Sequence, residues 1–556
     1  MRRALLGALS IFLAMLFVFA GCSGVHVNPI TTTTYNAITT SATATIETGS
    51  TTNIAATTST TVAVMATQSA SPSTTTSESV AITTQIPPIT TEAKSTQISG
   101  PKAADLEISA DYYKLWKTWT ITPAVNVIIS SGSKVATSPS NCKWSSSNDK
   151  IASVDGSGLI TALTGGTVDI TGTYQGISKT ITFNVVEPVL NPVEENIDPY
   201  LSTPMQNYIN EVPVVIIRYL PSSDGINLDT AYAPDYWTLN QISLSSMKSS
   251  LDQSDKLTKF MLEEGSKYHG YKDPDARPSL GYKIVKIITV YEPPPPGKFW
   301  FTQGDRKVFY VDKIAIFARF GLSSYIEAND VKEVWLNFGY VTPGYPSYNP
   351  AIQGPEAMIN LVESNMSSPT TGDISNSYRV SDDLPILNHT YTVYEYNIRR
   401  TASENVENHM HQLESLYSYI NNTLFWTDCA GFINSKITTP ARCGWTHYPP
   451  NGTTDYDWAN KTLVSSDIED WTPDNTGQRT MVNCDTWYSI PRNWPVSGFV
   501  PQYSETWFLF LMQNWPGYNN QIHYGSNTMT NWWEFTADWD KAVKSHEGLF
   551  APAAAP

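Results

Sequence analysis

Charge is scarce in this chain, and so is cysteine. Charged residues make up 15 % of 556, against about 25 % in ordinary soluble proteins. What charge there is leans negative: 51 Asp and Glu against 35 Lys and Arg, a net −16. No basic run exists beyond the first few residues. Such a chain repels a phosphate backbone, which argues against nucleic acid as a partner. Five cysteines are present, none in a C-x-x-C pair, so a cysteine zinc site is not expected. The G-x-S-x-G elbow, the phosphate-binding glycine loop, the EF-hand loop and H-E-x-x-H are all missing. Each is the signature of a particular chemistry, and none of those chemistries is announced here.

Long apolar runs are missing too, with one exception. After Met1-Arg2-Arg3 comes an apolar stretch from Ala4 to Ala20, closing Phe19-Ala20-Gly21-Cys22. It is short for a transmembrane helix, which needs about 20 apolar residues. The plan is that of a secretory signal peptide. The Ala-Gly-Cys ending resembles the lipobox of bacterial lipoproteins, with Phe19 where that family usually has Leu. The resemblance implies lipidation of Cys22, membrane attachment through it, and an extracytoplasmic location. Residues 1–22 are then a leader.

Residues 23–104 are mostly Ser, Thr, Ala and small apolar residues. Such a tract buries too little surface to offset its ordering entropy and reads as a disordered stalk. As a flexible coil, ~75 residues span on the order of 50 Å. From 105 to 187 the pattern changes. Thr180-Ile181-Thr182-Phe183-Asn184-Val185 alternates polar and apolar, and glycines at 156, 158, 165, 166, 172 and 176 punctuate the stretch. Period two marks half-buried strands, and ~80 residues of them suit a β-sandwich. Trp144-Ser145-Ser146-Ser147-Asn148, Ile151-Ala152-Ser153-Val154-Asp155 and Gly158-Leu159-Ile160-Thr161-Ala162 resemble the bacterial Ig-like domain of group 2. That family is common in surface proteins and adhesins. The resemblance implies a spacer or adhesion role and no catalysis. Before Trp144 the chain departs from the family with an aromatic cluster, Tyr112, Tyr113, Trp116 and Trp119.

Residues 188–204 read as a linker, and 205–550 as a second, larger domain with no recognised family. Strand-like runs at 212–218, 283–291, 331–340 and 391–396 alternate with helical spacing at 244–267, 311–328 and 403–421. The expected fold class is therefore multidomain: an Ig-like β-sandwich followed by a larger α/β domain. The last hundred residues, crowded with Trp, Asn, Pro and Gly, are expected to form irregular loops before a final helix at 532–544.

Ligands in open α/β sheets bind beyond the carboxyl ends of strands. That rule selects Glu363, Asn365 and Arg399 as ligand-binding candidates. The strongest cluster is on the helix at 403–421. Its apolar stripe is Val406, Met410, Leu413, Tyr417 and Ile420, while Glu404, Glu407, His411 and Glu414 share another face. Carboxylates flanking an imidazole can hold a divalent metal or orient a general base. Acidic residues early in a helix also suit its dipole, so a solvated charged face is the plainer account. His447 and His269 sit on turn-rich loops from which either could reach the site. Exposed tryptophans on loops, Trp445, Trp471, Trp487, Trp494 and Trp515, would stack on sugar rings.

Two functions stay open for this domain. One is binding or adhesion to envelope or extracellular glycans, with Trp445 and Trp471 as contacts; it is favoured because no catalytic signature is specific. The other is an extracytoplasmic hydrolase, with Glu407, His411 and His447 as catalytic residues and Glu407, His411 and Glu414 as metal ligands. Cys429 and Cys443 are close enough in sequence to bridge, but spacing alone leaves the pairing open.

Overall fold

The computed structural model describes residues 102–229, 242–303, 306–339, 357–358, 363–374, 376, 383–398, 400–545 and 548–551. The leader, Cys22, nearly all of the Ser/Thr tract and Arg399 lie outside those residues.

The alternating segment at 180–185 lies in the strand Ile177–Val186, which pairs antiparallel with Gly166–Tyr174. Gln175 and Gly176 join them, both at positive φ, 49° and 85°. That two-residue turn matches the twist of a hairpin. Ile181, Phe183, Val185, Val168 and Ile170 point inward and are buried. Facing them is a second sheet of Asp105–Ser109, Ala124–Ile128 and Lys134–Thr137. It contributes Leu106, Ile108, Val125 and Val127 to the same core. Tyr112, Trp116 and Trp119 are buried there as well. One further ring enters from later in the chain: Phe309 meets Tyr112 edge-on at 5.8 Å.

Beyond the sandwich lies a six-stranded sheet. Its strands are β1 (Val193–Glu194), β2 (Asn210–Tyr219), β3 (Leu280–Val290), β4 (Glu333–Phe338), β5 (Glu363–Ser367) and β6 (Tyr391–Asn397). Their spatial order is β1-β3-β2-β4-β6-β5. The four central strands run parallel, and β1 and β5 close the edges antiparallel. The stretch expected to be a linker thus contributes an edge strand, since Val193 pairs with Thr289.

Side chains alternate across β2, as period two requires. Val212, Val214 and Ile216 join one core, and Val215, Ile217 and Tyr219 another. Both faces are covered, which is why the strand reads as an unbroken apolar run. The second face carries helices Lys313–Phe320 and Leu322–Ala328. The expected single helix over 311–328 is broken at Gly321, whose φ of 60° is left-handed and ends the first helix.

The first face carries three helices: α1 (Leu244–Gly265), α2 (Ala402–Asn422) and α3 (Tyr503–Asn514). Ser243 caps α1 by accepting from the Ser246 N–H at 3.1 Å. Thr401 and Glu404 form a reciprocal capping box on α2. A Cβ on Gly265 would stand 2.6 Å from Met512 Cε, so the glycine lets α3 approach α1. The sequence hides α3 because nearly all of it is buried and its centre, Trp507 to Met512, is apolar on every side, with no polar face to set a period. The C-terminal tryptophans are core, not loop surface: Trp487, Trp507, Trp515, Trp532 and Trp533 are all 0 % exposed.

Sheet and helix are tied by a buried charge. Arg218 on β2, 1 % exposed, places Nη2 2.5 Å from Asp255 and Nη1 2.7 Å from Asp252, both on α1. Asp255 is fully buried whereas the Asp252 side chain is 49 % exposed. Removing the buried partner strands a buried cation, so Asp255→Ala should cost about 3–5 kcal/mol. Asp252→Ala should cost about 1 kcal/mol or less. Urea denaturation of the two variants measures the difference, and equal losses would refute this assignment.

Candidate functional site

Helix α2 buries one face against the sheet and the tryptophan core. Val406, Met410, Leu413 and Tyr417 are at most 2 % exposed. The 3.6-residue turn then puts Glu407, His411 and Glu414 together on a neighbouring face. Opposite them runs the loop that bears His447. Gly444 starts its turn at φ 77°, and a Cβ there would fall 2.4 Å from the Tyr448 carbonyl oxygen. Only glycine fits. Trp445 and Tyr448 then exchange backbone hydrogen bonds at 2.9 and 3.0 Å, which turns His447 toward the helix.

Three ligand-type atoms converge, one each from Glu407, His411 and His447, all within 4.8 Å of one another. His411 Nε2 lies 2.9 Å from His447 Nε2. Glu407 Oε1 is 3.0 Å from His447 Nε2 and 3.6 Å from His411 Nε2. The far side of each ring is held by its own carboxylate. His411 Nδ1 meets Glu414 Oε2 at 2.8 Å, and His447 Nδ1 meets Asp455 Oδ1 at 2.9 Å. Glu414 Oε1 in turn accepts from the Thr446 N–H at 3.0 Å and its hydroxyl at 2.5 Å.

The proton inventory follows from these contacts. A ring nitrogen facing a carboxylate donates to it, so both Nδ1 atoms carry hydrogen. Both Nε2 atoms also face Glu407 Oε1, at 3.0 and 3.6 Å, so a protonated Nε2 on either ring can donate to that oxygen. Burial opposes charge at all three groups and is outweighed at each. Hydrogen bonds from both imidazoles hold the Glu407 carboxyl down at about 2. Glu407 and Glu414 push His411 up to about 10. Asp455 and Glu407 push His447 upward, against repulsion from His411.

Aromatic rings wall the cluster. Trp445 lies 4.7 Å from His447 and Tyr456 lies 4.3 Å from it. Trp426, Phe432 and Tyr448 extend from Trp445 at 5.4, 5.1 and 5.8 Å, and all four rings are half-buried.

The family match falls on the N-terminal sandwich. Residues 120–184 match the family of the bacterial Ig-like domain (group 2). This segment is a bacterial Ig-like domain. Among solved structures, the S-layer protein rSbsC(31-844) is 18 % identical over 20 % of this chain and 17 % of that chain, with a TM-score of 0.14. An intimin mutant of EHEC O157:H7 is also 18 % identical, over 16 % of this chain and 51 % of that one, with a TM-score of 0.12. The chain thus spans less than a fifth of the S-layer chain and about half of the intimin chain. No curated protein matches the chain. Among the described residues, no helix is long and apolar enough to cross a membrane.

The Ig-like family match ends at residue 184, so the site rests on its own geometry. Of the sequence candidates, Glu407, His411, His447, Glu414 and Trp445 come together. Asn365 does not join them: it lies in β5, in register with Val393, and is buried at 2 %; Glu363 begins the same strand, in register with Glu395. Trp471 is a correction. It is 2 % exposed and spends its Nε1–H on the Asp428 carbonyl at 2.8 Å, so it has no open face for a sugar. Trp487 and Trp515 are buried likewise. Asp455 and Thr446 were missed as site residues because only the folded loop brings them to His447 and Glu414.

His269 is occupied elsewhere. Its ring stacks on Tyr268 at 4.0 Å and meets Tyr271 edge-on at 6.1 Å. Burial, then the Lys272 charge, pull it down to about 4, against Asp470, Glu469 and a hydrogen bond with Asn514. Its folded pKa is therefore below the unfolded value of about 6.5. Between those limits the unfolded chain binds the extra proton, so this histidine's contribution is present above pH 6.5 and is lost as pH falls toward 4. His269→Asn keeps a residue that tolerates the local φ of 54°. It should flatten the fall in stability between pH 6.5 and 4, read from urea midpoints. An unchanged slope would refute the assignment.

Proposed function

We propose that this is an exported bacterial surface protein, anchored through Cys22, in which the Ig-like domain is a spacer for a metal-dependent hydrolase centre on α2. The anchoring reading is supported by the leader and its Ala-Gly-Cys end, and the surface reading by the family of the Ig-like domain. One observation carries the metal centre: two imidazole Nε2 atoms and Glu407 Oε1 face one another, while a carboxylate backs each Nδ1. Outer carboxylates of this kind fix the tautomer and raise the basicity of ligating histidines. Two histidines and one carboxylate are the donor set of hydrolytic zinc sites, which keep a fourth position open.

A divalent ion held there would polarise a bound water or a substrate carbonyl. The chain's own residues do the rest. Glu414 and Asp455 orient the rings, Thr446 fixes Glu414, and Trp445 and Tyr456 shield His447 from water. Filling the site requires both Nε2 atoms to be free of protons, so binding weakens toward acid pH.

The full chain, purified without chelator or affinity-column metal, should carry near-stoichiometric zinc, manganese or iron by mass spectrometry. His411→Ala should lose it, and Asp455→Asn should weaken zinc affinity about 10–100-fold. A well-folded chain that neither carries nor takes up metal would sink the reading. A second reading, glycan binding without catalysis, is favoured by the half-buried wall of Trp426, Phe432, Trp445 and Tyr448. On a glycan array it predicts binding that survives His411→Ala and is lost in Trp445→Ala. Binding indifferent to Trp445 would dismiss it.

A further inference from the structure

We propose that Cys429 and Cys443 form a disulfide bond that fastens the loop bearing His447 to the helix bearing Glu407 and His411. The inference rests on export, one part of the function proposed above. In this structure the four described cysteines are free and buried.

Geometry selects this pair. The Cys443 N–H donates to the Cys429 carbonyl at 3.0 Å, and the next residues repeat the contact, Gly444 to Ala430 at 3.0 Å. A single N–H···O=C bond between two residues leaves their Cα atoms about 5–6.5 Å apart, within the roughly 4.4–6.8 Å range of disulfides. Burial first, and then the neighbouring Cys429 thiol, push the Cys443 thiol up. The other cysteines are engaged elsewhere. The Cys484 thiol faces Asp485 Oδ1 at 4.0 Å, and Cys142 belongs to the Ig-like core.

Position gives the bond its consequence. Cys429 ends the π-helical turns Thr423–Cys429 that continue α2. Cys443 stands four residues before His447. A bridge here closes a loop of about 15 residues, a length at which the loss of unfolded-state freedom is substantial. It would hold both arms of the donor set in register before any ion arrives.

The chemistry balances with a disulfide oxidant such as oxidised glutathione. One thiolate attacks it, giving a mixed disulfide and one reduced glutathione. The second thiolate then displaces the other glutathione, so two thiol protons and two electrons leave the protein. Both thiols are at most 1 % exposed, so the bond forms while the chain folds.

The test refolds the reduced, denatured full chain in a buffer of reduced and oxidised glutathione, then alkylates and maps the peptides. The expected result is a Cys429–Cys443 linked peptide, kept in Cys484→Ser and absent in Cys443→Ser. Adding reductant should lower the Tm by about 4 °C. Free, alkylated thiols at both positions, or a linkage to Cys484, overturns the proposal. The same mapping on protein recovered from expressing cells, fractionated into cytoplasmic and exported pools, reads export separately: cytoplasmic protein that still bridges on refolding would count against export alone.

Discussion

The Glu414 carboxylate closes the gap between α2 and the loop that carries His447. One oxygen takes the His411 Nδ1–H; the other takes two hydrogen bonds from Thr446. The side chain is 4 % exposed, so water does not compete for these bonds. A buried carboxylate is costly unless each lone pair is used, and here both oxygens are engaged. The hydrogen bonds that satisfy the buried carboxylate are thus the same bonds that set the distance from helix to loop. His447 sits one residue beyond the clamp, so its ring inherits the position.

A loop without regular structure needs other supports, and the tryptophans supply them. The Thr446 carbonyl accepts from Trp458 Nε1 at 2.9 Å and from Trp507 Nε1 at 3.1 Å. Trp507 lies on α3, fully buried. The loop is therefore hydrogen-bonded to the helix on one side and to the core on the other. This accounts for Trp458 and Trp507: a large ring with one donor can fill apolar volume and still satisfy a loop carbonyl. Burial removes most of the C-terminal tryptophans from any glycan surface and leaves the wall around Trp445.

The parts of this arrangement legible in the sequence are those governed by local period. Alternation at 180–185 gave the sandwich strand, and Val406, Met410, Leu413 and Tyr417 gave the buried face of α2, hence the shared face of Glu407, His411 and Glu414. His447 could be named only as a loop histidine, because its distance from α2 depends on Gly444 and Thr446. Asp455 had no local signal at all. Helix α3 escaped because burial on all sides erases period. Glu363 and Asn365 were chosen by a rule about strand ends, but they belong to an antiparallel edge strand, where that rule does not apply.

The place where the N-terminal segment departs from its family has a physical reason. The family match begins at residue 120, after Tyr112, Trp116 and Trp119, and these rings are buried in the sandwich. Tyr112 packs edge-on against both Trp119, at 6.2 Å, and Phe309, at 5.8 Å. Phe309 belongs to the hairpin of Pro296–Gln303 and Arg306–Val311, outside the Ig-like domain, yet it is 2 % exposed. A free-standing spacer would keep its core to itself, since any apolar ring shared with a neighbour becomes an exposed patch when the two part. Sharing Phe309 makes separation unfavourable by the apolar surface of two aromatic rings. The aromatic cluster that precedes the family match is thus the part of the sandwich that commits it to the region behind it.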